Sequence, residues 1–192
     1  MAGSLAYTVI LDACVLYPAP VRDILLSFAE AELFRARWTT QIHDEWTRNL
    51  LKNRPDLSSS KMDLTVASIN AAVEDCLVEN YEYLIPDLIL PDPDDRHVLA
   101  AAIAGHADAI VTFNLKDFPA DIVGKYKVEI LHPDDFFVDQ FDLEPMKALT
   151  IIKSIRTRLK KPPITAEELI MTYESLGLVQ TSNLLREAIH LI

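Results

Sequence analysis

Short apolar runs separated by segments of helical period restrict this chain's fold more than any other feature. Tyr7-Thr8-Val9-Ile10-Leu11 ends at Asp12, Ala109-Ile110-Val111-Thr112 leads into Phe113-Asn114, and Val128-Glu129-Ile130-Leu131 ends at His132-Pro133. Runs this short and this apolar suit strands covered on both faces, as in a parallel sheet between helices. Arg35-Ala36-Arg37-Trp38 reads as a further short strand, and Asp87-Leu88-Ile89-Leu90-Pro91 as the end of another. Between them, Val21, Ile24, Leu25, Phe28 and Ala29 recur at helical spacing, predicting a helix to about Leu33. Thr40 is placed to cap a helix with Ile42, Trp46 and Leu50 on one face. Ser58–Ser60 opens another, with Leu64, Val66, Ile69, Val73, Cys76 and Leu77 as its apolar positions. An alanine-rich helix spans Val98 to Ala104, and one more follows His132-Pro133 from about Asp134 to Phe141. The expected fold is α/β, a three-layer α/β/α arrangement around a central parallel sheet.

Pro145 marks a boundary. Residues 1–144 read as the main domain and 145–192 as a C-terminal helical extension with helices over Met146–Leu159, Thr165–Leu176 and Val179–Ile192. Charge divides the same way: residues 1–144 carry 11 Lys/Arg against 25 Asp/Glu, and residues 145–192 carry 7 against 4. The net charge of −11 argues against bulk electrostatic binding of nucleic acid. Local basic excess exists, at Arg35, Arg37, Arg48, Lys52, Arg54 and Lys61, and at Lys147, Lys153, Arg156, Arg158, Lys160 and Lys161. Each set reads either as a solvated helix face or as a phosphate-holding surface beside an acidic centre. In the extension Leu149, Ile152, Ile155 and Leu159 form an apolar stripe opposite the basic residues, which reads as core packing. No apolar run approaches the ~20 residues of a membrane span, and Met1–Leu11 lacks the pattern of a secretory leader. Cys14 and Cys76 read as buried thiols in apolar surroundings. A cytoplasmic protein is expected.

In a parallel α/β sheet, sites form beyond the carboxyl ends of the strands. Asp12 follows the first strand, Asp92, Asp94 and Asp95 precede the alanine-rich helix, and Asn114 and Asp117 follow the Ala109–Thr112 strand. Glu45 lies mid-helix beside core positions. A strand-ending Asp is commonly a turn residue, Asp95 can cap a helix, and Glu45 can be solvated; together they would collect at one sheet edge. At ~5 Å and an effective dielectric near 20, each carboxylate pair repels by roughly 3 kcal/mol. Such a cluster either protonates or holds a cation. Oxygen-only ligands select a hard octahedral ion, Mg²⁺ or Mn²⁺ over Zn²⁺. That chemistry suits phosphodiester hydrolysis.

The run Val9-Ile10-Leu11-Asp12-Ala13-Cys14-Val15-Leu16 resembles the opening of the PIN-domain family. Glu45, within Gln41–Leu50, sits where that family has its second acid. Asp95-Arg96-His97-Val98-Leu99-Ala100-Ala101-Ala102 and then Val111-Thr112-Phe113-Asn114-Leu115-Lys116-Asp117-Phe118 resemble its third and fourth motifs. The resemblance covers roughly residues 7–141, and the layout is most similar to VapC-like toxins of toxin–antitoxin pairs. It implies a PIN-type sheet, Mg²⁺/Mn²⁺-dependent ribonuclease activity, an RNA substrate, an antitoxin partner and a homodimer. It also implies Asp12 and Asp95 as main metal ligands, Glu45 as a ligand directly or through water, and Thr112 as a support for a ligand carboxylate. Many relatives have aspartate where this chain has Asn114, which removes one charge and bears on a second metal ion. Asp117 either compensates or caps a turn. Arg156, Arg158, Lys160 and Lys161 are the candidate RNA contacts remote from the metal.

Two other readings stay open: a PIN-like module without catalysis that binds RNA or protein, favoured by Asn114, and an aspartyl-phosphate hydrolase. The latter usually needs a second acid two residues after the first, and here Cys14 holds that place. His43, His97 and His106 read as surface or helix-face residues, with His97 a minor substrate-contact candidate near Asp95. Trp38 and Trp46 read as packing residues. Four glycines leave no phosphate-cradling loop.

Overall fold

The computed structural model describes residues 7–192; the leader reading of Met1–Leu11 therefore lies largely outside the described residues. The sheet has four strands, β1 (Thr8–Leu11), β2 (Arg35–Arg37), β3 (Ala109–Val111) and β4 (Glu129–Leu131), all parallel in the order β2-β1-β3-β4. β1 and β3 are central and completely buried, which is why their sequences are apolar without alternation. Helices α1 (Ala13–Leu16), α2 (Ala19–Glu30), α3 (Thr40–Asn53), α4 (Ser59–Ala72), α5 (Arg96–Ala104), α6 (Ala120–Val123) and α7 (Pro133–Leu143) connect and cover the strands. The α/β expectation is met.

Local differences have physical causes. The α3 cap is Thr39, whose hydroxyl accepts from the Ile42 N–H at 3.1 Å; Thr40 is the first helical residue. Helix α4 ends at Ala72, and its buried line is Met62 and Ile69, seven residues apart, so Leu64 falls on the outer face and is 69% exposed. Val73, Cys76 and Leu77 lie beyond that helix, where Leu77 bridges Trp38 at the margin of β2. The predicted strand at 87–91 is a chain leaving a 3-10 turn over Glu82–Asp87. It keeps strand-like alternation, with Leu88 and Leu90 buried and Ile89 exposed, but Pro86 and Pro91 bracket it and it pairs with none of the described strands. Trp38 and Trp46 are fully buried, as is His43, which accepts from the Trp46 indole at 2.9 Å and meets Asn70 at 3.0 Å. His97 is buried as well, so the surface reading fails for both histidines: His43 packs against Trp38, Trp46 and Asn70, and His97 meets Glu45.

After Pro145 come α8 (Pro145–Arg158), α9 (Ala166–Ser175) and α10 (Val179–Glu187). Leu149, Ile152 and Ile155 are buried as the stripe predicts, while Leu159 is at the helix end and partly exposed. These helices share one hydrophobic cluster with α2 and α7. Phe28 of α2 meets Phe137 and Phe141 of α7 edge to face, each at 5.8 Å. No helix among the described residues is long and apolar enough to cross a membrane.

Helix α10 has no side-chain cap of its own, and Asp134 of α7 supplies one through space. The buried carboxylate accepts from the Gln180 N–H and the Thr181 N–H, both at 2.8 Å, satisfying orphan donors at the positive end of the helix. Asp134→Ala should therefore destabilise the fold by about 1.5–3 kcal/mol, the usual worth of hydrogen bonds to a charged group. Chemical denaturation of the two proteins checks this; equal midpoints would contradict it.

Candidate active site

The pairing of the central strands brings the first two site residues together. Leu11 of β1 is in register with Val111 of β3, so Asp12 and Thr112 leave neighbouring strands at the same level. The Asp12 N–H continues the ladder to the Val111 carbonyl at 3.2 Å. The Thr112 hydroxyl donates to Asp12 Oδ2 at 2.7 Å and in turn accepts from the Asn114 N–H at 2.9 Å. Asp12 also opens α1, its Oδ1 accepting from the Ala13 N–H at 2.6 Å. Cys14 closes the corner: its thiol donates to Asp12 Oδ2 at 3.1 Å, lies 3.3 Å from the Thr112 hydroxyl and accepts from the Phe113 N–H at 3.2 Å. The expected apolar setting of Cys14 is thus wrong, because the first turn of α1 folds it back over the carboxylate. Burial raises the Asp12 carboxyl above its ordinary range and Glu45 adds to this, while the Thr112, Cys14 and Ala13 hydrogen bonds pull the other way.

Asp95 ends a 3-10 turn over Pro93–Asp95 and precedes α5. The cap of that turn is Asp92, whose carboxylate accepts from the Asp94 N–H at 2.9 Å. Asp95 makes no capping hydrogen bond, contrary to its N-cap reading, and its carboxylate remains free. It is pushed up to about 7, first by burial and then by the negative charges of Asp12, Asp92, Asp117 and Glu45. Acids from four separate stretches of sequence therefore act on one carboxyl. Glu45 is one-third exposed, and its Oε2 lies 3.4 Å from Nε2 of the buried His97. Among the described residues, His97 Nδ1 has no hydrogen-bond partner. The minor interest of His97 therefore lies in its approach to Glu45.

The structure brings Asp12, Thr112, Glu45, Asp95 and Asp117 into one electrostatic neighbourhood at the carboxyl end of the sheet. The Asn114 residue is exposed, and its link to this group is through its backbone N–H. Of the candidate RNA contacts, Arg158 donates to Asp23 at 2.7 Å and Ser27 at 3.0 Å, and Arg156 to the Ile164 carbonyl at 3.4 Å. Lys160 and Lys161 are exposed. Cys14 was not singled out by sequence, although its place two residues after Asp12 in a strand-to-helix turn carried the signal.

The donor set fits a hard divalent cation: oxygen ligands, an excess of negative charge and one carboxyl raised by burial and by its acidic neighbours. Among the described residues, however, no three His, Cys, Asp or Glu side chains close to metal-binding distance. Glu45 and Asp95 are both partly exposed, and among the described residues neither is fixed by a short hydrogen bond. Active-site contacts of this kind commonly tighten only in the loaded complex.

A carboxyl held at about 7 in the fold and 3.8 unfolded binds its proton more tightly when folded. Metal-free stability therefore falls as pH rises from about 4 to about 7 and stays low above that. Asp95→Asn removes the ionisation, so the variant should exceed the parent in metal-free stability above pH 7, with the gap closing towards pH 4. Allowing for solvent screening, the gap should be on the order of 1–2 kcal/mol. Thermal melts in EDTA across this range measure it; parallel pH profiles would contradict it.

Comparison with known proteins places the chain in a family. The model of the family described as PIN domain matches residues 8–116, and that of the VapC50 C-terminal domain matches residues 133–187. A stretch of 76 residues is 45% identical to "Putative ribonuclease VapC50" of Mycobacterium tuberculosis, covering 40% of this chain and 45% of that protein. The aligned stretch thus spans less than half of that relative. No solved structure matches. The first match runs from β1 through the Asp95 turn and β3 to the segment holding Asn114, and the second takes in α7 to α10. The chain belongs to the PIN-domain family and carries a VapC50-type C-terminal region.

Proposed function

We propose that this chain is a Mg²⁺- or Mn²⁺-dependent endoribonuclease of the cytoplasm, and the toxin of a toxin–antitoxin pair. The observation that carries this reading is the Asp95 carboxyl, raised to about 7 by burial and by the negative charges of Asp12, Asp92, Asp117 and Glu45. Asp12 and Asp95 would hold the ion, with Glu45 joining directly or through water and Asn114 at the margin. The bound ion supplies a lowered pKa for its water and neutralises charge developing on the phosphoryl oxygens.

The chain's own groups then have separate tasks. Thr112, donating to Asp12 Oδ2, holds that carboxylate in one rotamer. Glu45, partly exposed and close to His97, is placed to orient the attacking water and accept its proton. Asp117 adds negative charge near Asp95 and so favours cation binding. Residues 1–144 act as the nuclease domain and 145–192 as a helical extension. In that extension Arg156, Arg158, Lys160 and Lys161 contact RNA; the lysines are the freer pair, because both arginines already serve intrachain acceptors. An antitoxin restrains the enzyme, and the toxin is a homodimer.

Purified chain incubated with total RNA should cleave it with Mn²⁺ or Mg²⁺ and stop with EDTA. Asp12→Asn should abolish cleavage while keeping the fold, and Thr112→Ala should cost roughly 10–100-fold, the usual effect of losing a group that orients a metal ligand. Cleavage that survives EDTA, or full activity of folded Asp12→Asn, would contradict the proposal. An intact chain that binds RNA without cutting it under any metal would instead be the non-catalytic module.

A further inference from the structure

Helix α3 extends beyond Glu45 for two more turns, and its outer face there is basic. With 3.6 residues per turn, Lys52 projects within about 20° of Glu45 and Arg48 about 60° to one side; the 1.5 Å rise sets them about 10 Å and 4.5 Å further along the axis. Both residues are exposed, and among the described residues neither has an ion pair or hydrogen bond. The neighbouring cations are committed. Arg54 is paired with Asp56 at 2.6 Å, Arg37 donates to the Asp75 and Gly105 carbonyls, and Arg22 donates to the Leu16 and Tyr17 carbonyls while stacking 4.7 Å over Trp46.

Helix α1 runs beside α3, with Asp12 at its start sensing Glu45 and Tyr17 at its end accepting from Asn53 Nδ2 at 3.0 Å. The α1/α3 pair therefore begins at the carboxylates and continues as a strip bordered by a half-buried tyrosine on one side and two uncommitted cations on the other. Such a combination of backbone-holding cations and an aromatic ring suits a single-stranded nucleic acid.

We infer that Arg48 and Lys52 are positioning residues that hold RNA phosphates next to the scissile one, and that Tyr17 packs on a neighbouring base. The inference rests on the ribonuclease reading and adds the direction in which the substrate strand leaves the carboxylates. It also accounts for substrate binding by a chain of net charge −11: the strand meets a local basic strip beside the acidic centre.

The test is the salt dependence of binding to a fluorescein-labelled single-stranded RNA, read by anisotropy in EDTA so that no metal-dependent cleavage occurs. Each phosphate contact on a single strand contributes roughly 0.7 to the slope of log affinity against log salt, so Arg48→Ala/Lys52→Ala should flatten the slope by about 1.4. Lys125→Ala/Lys147→Ala, removing the same charge elsewhere, should leave the slope unaltered. Tyr17→Leu should weaken binding with the slope retained, and melting curves establish that each variant is folded. If the parent binds and cleaves RNA but the Arg48/Lys52 variant keeps the parental slope, this inference fails and the ribonuclease reading stands. An equal flattening by the control pair would likewise overturn it. A parent that neither binds nor cleaves RNA would overturn both.

Discussion

Mutual repulsion of carboxylates at one end of the sheet is the constraint on which the rest of this structure turns. Asp12 and Asp95 are both raised by burial and differ in the hydrogen bonds they receive. Asp12 is nearly enclosed, which raises its carboxyl, while three neutral donors, the Thr112 hydroxyl, the Cys14 thiol and the Ala13 N–H, fix its position and offset part of that rise. Asp95 receives no hydrogen bond from its own helix and is pushed up to about 7. One carboxylate is fixed by hydrogen bonds, and the other receives none from its own helix. A fold that spent these positions on stability alone would have paired or neutralised them.

The C-terminal helices reach this site through a chain of contacts. Arg158 of α8 bonds Asp23 and Ser27 of α2, and the preceding residue on α2, Arg22, donates to the carbonyls ending α1, the helix that Asp12 begins. Arg22 also stacks on Trp46, the neighbour of Glu45. Asp134 ties α7 to α10 in the same cluster of helices. The extension thus packs against the element that braces both Asp12 and Glu45, which explains why its apolar stripe is buried and why Arg156 and Arg158 have intrachain acceptors.

Much of this was legible in sequence because the signals were local. A buried strand ending in an acid located Asp12, and an acid opening an alanine-rich helix located Asp95. What was missed depended on contacts distant along the chain. Cys14 looked like a core thiol until register placed Thr112 and Phe113 beside it. His43 and His97 looked like surface residues because their burial depends on partners distant along the chain, Asn70 for His43 and Glu45 for His97. Residues 87–91 have the alternation of a strand, yet bracketing prolines and the lack of a partner left them unpaired. The end of α4 was misjudged because apolar residues continue past Ala72 into an extended segment that covers Trp38.

The central claim is that Asp95 remains partly protonated near neutrality until a hard cation takes the proton's place. Carbon-detected NMR of the labelled aspartate carboxyls, titrated with pH in the absence and presence of Mg²⁺, observes that group directly. A midpoint near 7 without metal that drops towards the ordinary 3.8 when Mg²⁺ is added is the predicted result. A midpoint already near 3.8 without metal, and unmoved by Mg²⁺, would contradict it.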